Sequence, residues 1–454
     1  MEMKQTNSLP VAIIGGGPVG LAAAAQLVKK GEPFILFESG HTVGSSVLKW
    51  GHVKLFSPWQ YNIDRAAEEL LLESGWIAPN KEQLPTGQEL VEVYLGPLSN
   101  LPKIKEHIRL NAKVVGIARK GLDKLKDAER DDKPFQIYVE IDGNTKVVEA
   151  KTVIDSSGTW HNPNPMLSNG IWTKSERRLK DRVYYGIPNV RESRERYKNK
   201  NIMVIGSGHS AINVLLDLAH LKRAYPDTTI HWILRKRDVS EAYGGQENDG
   251  LQARGELGIT IQKLVEFNHF NVLTPFYISE VNEVNGKINV LGLLNGESTT
   301  IGGIDEIIVG TGFRPDFRFL SEIRLSIDSA VESVEALAPL IDPNRHSCGT
   351  VRPHGEEELR QPEKNLYIVG MKSYGRAPTF LLATGYEQVR SIVAYLSGDF
   401  VGAKEVQLEL PETGVCQTNL VSSCCGPETS EKIKMASCCT VPVKLEVKSN
   451  SCCG

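Results

Sequence analysis

Two glycine-rich turns hold the residues of this chain whose types and spacing could do chemistry. GGGPVG sets Gly15, Gly16, Gly17, Pro18, Val19 and Gly20 behind the apolar run VAII, and GSGHSA sets Gly206, Ser207, Gly208, His209, Ser210 and Ala211 behind IMVI. In such a turn the first glycine permits the tight bend and the second lets backbone approach a pyrophosphate. The third, or the alanine allowed in its place, lets helix and strand pack closely. Backbone N–H groups of the helix that opens there point at the phosphates. The residues downstream differ in charge: the first turn leads to Glu38, eighteen residues past Gly20 (38 minus 20), and the second to Arg235, Lys236 and Arg237 in HWILRKRD. An acidic residue at the end of the second strand accepts from a free ribose 2′-hydroxyl, whereas arginine there accommodates a 2′-phosphate. The contrast predicts FAD at the first turn and NADPH at the second. The blander alternatives are a glycine turn without ligand and a solvated basic cluster.

Cysteine usage is lopsided. Of eight cysteines only Cys348 precedes residue 400, and the rest include three adjacent pairs, Cys424-Cys425, Cys438-Cys439 and Cys452-Cys453, repeating every fourteen residues (438 minus 424, 452 minus 438). Structural zinc sites space their cysteine pairs by two to four residues, while neighbouring thiolates suit soft, thiophilic ions. The pairs read as capture of a soft metal or metalloid, as a redox relay, or as a tail with no catalytic role. Cys348 reads as an inert core thiol.

Elements must position these residues. VAII, the turn, the helix LAAAAQLVKK and the strand FILF form a βαβ unit, and IMVI, the second turn, INVLLDLAHLK and TTIHWIL form another. Helices are expected at DRAAEELLLESG, GQELVEVYLGPLSNL and LLATGYEQVRSIVAYLSGD, and strands at KVVGIA, FQIYVEI, TVIDSS and from Tyr367 to Val369. A small meander is expected from Asn271 to Thr300, and KGLDKLKDAERDDK as a solvated hairpin or loop tip. The expected architecture is α/β, with two Rossmann-like dinucleotide-binding domains and a flexible cysteine-rich C-terminal tail. The FAD-binding domain occupies 1–165 and 301–402 and is split around an NADPH-binding domain at 166–300, and the tail is 403–454.

With 454 residues, 41% hydrophobic and 24% charged, the chain reads as an ordinary globular protein. A net charge of -3 without a basic stripe disfavours nucleic acid and anionic membranes, leaving a small molecule as the expected partner. The polar start MEMKQTNSLP reads as no signal peptide, and no apolar run approaches the ~18 residues of a spanning helix. A cytoplasmic location is expected.

GGGPVG with Glu38, VIDSSGTW, GSGHSA with Arg235, and GTGFRPD, in that order, resemble the flavin-dependent monooxygenase and thioredoxin-reductase-like superfamily of two-dinucleotide-domain flavoproteins. The resemblance implies domain crossings around Gly158 and Gly312, and FAD contacts at Val115, Gly158 and Gly370. A CxxC is absent, which disfavours a dithiol relay in the body. The monooxygenase fingerprint FxGxxxH is also absent, DRVYYGIPNVRES standing in its place. KWGHVKLFSPWQYNID resembles the loop that sets substrate and oxygen over the flavin; Trp50, His52, Ser57 and Trp59 line that pocket or pack the loop itself. The vicinal cysteines resemble the thiol traps of mercuric reductases and arsenic-handling proteins, and the body resembles monooxygenases associated with arsenic resistance.

Three functions are expected of such a chain. The first is an NADPH-dependent FAD monooxygenase or oxidase of a small nucleophile, possible substrates including trivalent arsenicals. The second is a reductase whose tail thiols reach the flavin of another subunit in a homodimer. The third is a metal-scavenging or redox-sensing flavoprotein. No catalytic dyad is expected, because the flavin does the oxygen chemistry.

Overall fold

The computed structural model describes residues 9–345, 351 and 353–408. The first part of the chain forms strands β1 (Val11–Ile14), β2 (Phe34–Phe37), β3 (Ile108–Arg109), β4 (Lys113–Arg119), β5 (Phe135–Ile141), β6 (Asn144–Ala150) and β7 (Thr152–Asp155), with helices α1 (Pro18–Lys30) and α2 (Arg65–Glu73). The middle forms β8 (Val183–Tyr185), β9 (Asn201–Ile205), β10 (Thr229–Ile233), β11 (Asn271–Leu273), β12 (Phe276–Val284), β13 (Lys287–Leu294), β14 (Glu297–Ile304) and β15 (Glu306–Val309), with helices α3 (His209–Ala224) and α4 (Gln252–Glu266). The chain then returns through β16 (Leu366–Ile368) and α5 (Leu382–Leu396).

Two five-stranded parallel sheets result, in the orders β16-β7-β1-β2-β3 and β11-β10-β9-β15-β8, each flanked by a three-stranded antiparallel sheet, β4-β5-β6 and β12-β13-β14. β1 sits centrally because VAII is apolar at every position and buried throughout, as a strand covered on both faces must be. Ala22 to Ala25 are fully buried, so α1 lies close on its sheet. Gly31, left-handed with φ 69, donates its N–H to the Leu27 and Val28 carbonyls and ends that helix.

The sheets move some expected boundaries. β15 pairs with β9 and β8, so the second sheet runs to Val309 and the crossing back falls after it, not at 300. Asn271–Leu273 joins the parallel sheet beside β10, and the meander begins at Phe276. β6, β8 and α4 are elements that the sequence pattern does not announce; the β6 burial pattern is mostly exposed, so it carries little apolar periodicity.

The loop at residues 120–133 is not wholly solvated. Arg130 is 4% exposed and donates through Nη2 to Glu363 Oε2 at 2.7 Å, while Arg119 Nε reaches Glu363 Oε1 at 2.7 Å. Burial pushes the Glu363 carboxyl up, but hydrogen bonds from Arg130 and Arg119 overcome this and hold it below its usual range. Among the described residues no helix is long and apolar enough to cross a membrane.

Candidate functional site

The two glycine turns are built alike, at the C-terminal ends of β1 and β9. Gly15 has φ +104, and a methyl on it would sit 2.8 Å from Ser156 O; Gly206 has φ +130, and its methyl would strike Gly310 O. Each first glycine therefore lets the turn press against the crossover segment that follows a neighbouring strand. A methyl on Gly20 would strike Gly15 O. Ala211 is tolerated at the equivalent place because Gly310 faces it, where even a Cβ would lie 3.1 Å from the Ala211 Cβ. The middle glycines differ from both. A methyl on Gly17 or Gly208 would meet nothing within 4 Å. The residues thus fit a dinucleotide phosphate at each helix N-terminus, the open side being the ligand's side.

Glu38, 6% exposed, does more than wait for a ribose. Its Oε1 accepts from Gly40 N and Ser45 Oγ, both at 2.7 Å, and its Oε2 accepts from Gly16 N at 2.8 Å. Oε2 keeps capacity for one further donor, which suits a ribose hydroxyl. Val115 is the extra residue of a β-bulge between Val114 and Gly116, so its backbone groups are released from the ladder, as a backbone contact to adenine needs.

At the second turn, Arg235 and Arg237 are exposed beyond the end of β10, and Arg235 Nη1 donates to Ser168 O at 3.3 Å. His209 opens α3. Burial, with the Arg254 charge adding, pushes its imidazole down to about 4.

Gly158 and Gly312 lie in the two crossover segments, with φ +68 and +81. Those segments pair with each other: Asn164 N donates to Gly312 O at 3.0 Å, Arg314 N to Asn162 O at 2.9 Å, and Trp160 stacks on Phe313 at 4.7 Å between centroids. Gly370, φ +68, packs on Val19 at the start of α1; a methyl there would lie 3.3 Å from Val19 Cγ2.

The aromatic loop divides. Ser57 Oγ donates to Asn62 Oδ1 at 2.9 Å and Trp59 is 3% exposed in the core, so both pack the loop. Trp50 lies over Gly87, 2.8 Å from where a methyl would be, and His52 Nε2 is buried without a hydrogen-bond partner. Phe56, which no sequence motif marks, reaches the second glycine turn from this loop. Its ring lies 5.4 Å from that of His209 and 5.8 Å from the Arg254 guanidinium. Only its place in an aromatic loop signalled it.

Cys348 and the pairs from Cys424 to Cys453 lie outside the described residues; among the described residues no group of three or more His, Cys, Asp or Glu side chains could hold a metal.

Known proteins agree with this architecture. A ferredoxin–NADP reductase of Lactobacillus helveticus is 21% identical over 324 residues, 71% of this chain and 82% of its own length. The solved bacillithiol disulfide reductase Bdr from Bacillus cereus superposes with TM-score 0.62 at 20% identity, covering 86% of this chain and 99% of that one. DfoA of Erwinia amylovora, the cadaverine monooxygenase of desferrioxamine biosynthesis solved bound to FAD, gives 0.61 at 13% identity, covering 91% and 99%. These structural likenesses are likenesses of fold. The model of the pyridine nucleotide-disulphide oxidoreductases matches residues 12–348, and the chain belongs to that family.

Proposed function

We propose that the chain is an NADPH-dependent FAD monooxygenase or oxidase acting on a small nucleophilic substrate, trivalent arsenicals held by the tail thiols being the most specific substrate class. The observation that carries the cofactor reading is the matched pair of cradles: open space at Gly17 and Gly208, one backed by Glu38 and the other by Arg235 and Arg237. When bound, the two groups supply hydride transfer from nicotinamide to flavin and onward electron delivery, chemistry that asks the protein for binding and orientation. The backbone N–H groups of each turn hold a pyrophosphate, Glu38 Oε2 orients a ribose, and the two guanidinia select the phosphorylated nicotinamide dinucleotide. Neutral His209 and the Phe56 ring exclude water at the mouth of the second turn.

The cysteine pattern favours oxygen as the destination. Despite the family's name, no CxxC occurs anywhere in the sequence, so the body has no neighbouring dithiol of that kind to accept electrons. A reductase is the second reading, supported by the three vicinal pairs of the tail and by the reductases among the relatives.

NADPH consumption by the full-length chain, measured in air and without oxygen and with or without arsenite, separates them. Turnover that stops anaerobically supports a monooxygenase, and arsenite- or mercury-dependent turnover that persists makes the chain a reductase. Truncation after Gly402 that leaves arsenical-dependent consumption unchanged removes the capture role. A purified protein with no flavin absorption ends the whole reading.

A further inference from the structure

Lys372 is 1% exposed, although it lies in the short turn that begins at Gly370, one of the implied FAD contacts. Its Nζ lies 2.7 Å from Asp155 Oδ2, 1% and 0% being the exposures of the two side chains, and donates to Ser157 Oγ at 3.1 Å. The rings of Phe319 and Phe317 face the ammonium at 4.4 and 5.2 Å. Asp155 Oδ1 accepts from Ser157 N at 3.0 Å and from Ser157 Oγ at 2.6 Å. Asp155 ends β7, and Lys372 lies in the short turn Gly370–Tyr374 that follows β16, the neighbouring strand. The ion pair therefore crosses the C-terminal edge of the first sheet, the edge at which open parallel sheets receive their ligands.

What this pair grips is the floor of the first glycine turn. Ser156, between the two gripped residues, donates from Oγ to Ile14 O at 2.9 Å and Gly15 O at 3.0 Å. A methyl on Gly15 would lie 2.9 Å from Ser157 Cα, and one on Gly20 would lie 2.7 Å from Ser156 Oγ. A chain of contacts thus runs from Lys372 through Asp155, Ser157 and Ser156 to the turn that opens α1. Stability does not explain it. Burying two charges carries a desolvation penalty, and apolar residues of similar volume are often as stable or more so. A charged pair in this place buys geometry.

We propose that Lys372, acting through Asp155 and Ser157, is a positioning residue for the dinucleotide at the first turn, setting the crossover backbone against Gly15 and Gly20. The inference rests on the FAD reading above. Lys372 is one of the features that the sequence left unmarked, because Asp155 and Ser157 lie more than two hundred residues away.

The test uses the full-length, FAD-loaded protein. Asp155→Asn with Lys372→Met removes both charges together, so that no unpaired buried charge is left to unfold the chain, and Ser157→Ala keeps the ion pair while cutting its link to the crossover. FAD dissociation after dilution, the flavin absorption band, NADPH binding and the unfolding temperature are measured for each. The expected result is FAD dissociation at least about tenfold tilted toward release in the double variant and several-fold in Ser157→Ala, with a shifted flavin band and unchanged NADPH binding. FAD retention and flavin band matching the wild type in the folded variants overturn the inference alone. A wild-type chain that takes up no FAD overturns the functional reading, and the inference with it.

Discussion

The Gly370 N–H donates to Gln388 Oε1 at 2.7 Å, and this one bond orients a buried network behind the first glycine turn. Because the amide oxygen is taken, the Gln388 amide nitrogen faces Ser373 Oγ and His354 Nε2, each at 3.0 Å. Ser373 Oγ in turn donates to Gly370 O at 2.8 Å, and His354 accepts on Nε2, which assigns it the Nδ1–H tautomer. Gln388→Met leaves the Gly370 N–H buried without an acceptor, at a cost of about 1–3 kcal/mol. A lowered unfolding temperature and weaker FAD retention are expected, with Gln388→Glu, which keeps an acceptor for Gly370, closer to wild type. Identical behaviour of the two variants would refute this role.

The glycines of the turns separate fold from binding. Gly17→Ala and Gly208→Ala place a methyl in open space and leave the unfolding temperature of the cofactor-free protein unchanged, while each lowers affinity for its own dinucleotide at least about tenfold. Gly15→Ala, which meets Ser156 backbone at positive φ, destabilises the protein itself. Thermal unfolding with and without added FAD or NADPH distinguishes the two classes, and a Gly17→Ala protein that retains FAD normally contradicts the cradle.

Selectivity for the phosphorylated nucleotide rests on Arg235 and Arg237. A hydrogen bond to a charged group contributes about 1.5–3 kcal/mol, so Arg235→Ala raises the KM for NADPH by about 10- to 100-fold and leaves that for NADH nearly unchanged. Equal losses for both nucleotides would mean that the cluster is only a solvated surface.

His209 makes a pH signature. Its imidazole is pushed down to about 4 in the folded chain, against 6.5 when unexposed to burial. Unfolded chains therefore bind more protons between those values. The stability that comes with neutral His209 is complete above pH 6.5 and is lost as pH falls toward 4. Unfolding midpoints measured across that window fall less steeply for His209→Gln than for wild type; parallel curves would show that the ring is not desolvated.

Glu363 anchors two guanidinia that are nearly inaccessible, Arg119 and Arg130. Glu363→Gln leaves both facing a neutral amide, and breaking such a buried cluster costs about 3–5 kcal/mol. Chemical denaturation is expected to show this loss. A change below about 1 kcal/mol would show that water reaches the cluster.

The two parallel sheets were legible because their evidence is local. VAII and IMVI are short apolar runs directly followed by glycine turns, and the periodicity of α1 and α3 lies within single segments. The charges at Glu38 and Arg235 are local too, each standing at the end of the strand that follows its turn. The strands β6 and β8 were not legible, since one is largely exposed and the other is only three residues long and owes its place to pairing with β15. For Ser57 and Trp59 residue type does not tell which side of a loop faces inward; the Asn62 bonds hold the first and the core buries the second.

By itself, the sequence determined that two dinucleotide turns exist, in what order, and with which charge behind each, because a turn and its strand are contiguous and their glycines act through their own backbone. Only the tertiary structure decided what backs those turns: Ser156 and Gly310 beneath the first glycines, Phe56 against His209, Gln388 on Gly370, and Lys372 on Asp155. All of these pairs but Gln388 and Gly370, which are eighteen residues apart, join residues far apart in the chain, and their meeting depends on strand order and on which side chains the closed core excludes from water, neither of which any single stretch of sequence records.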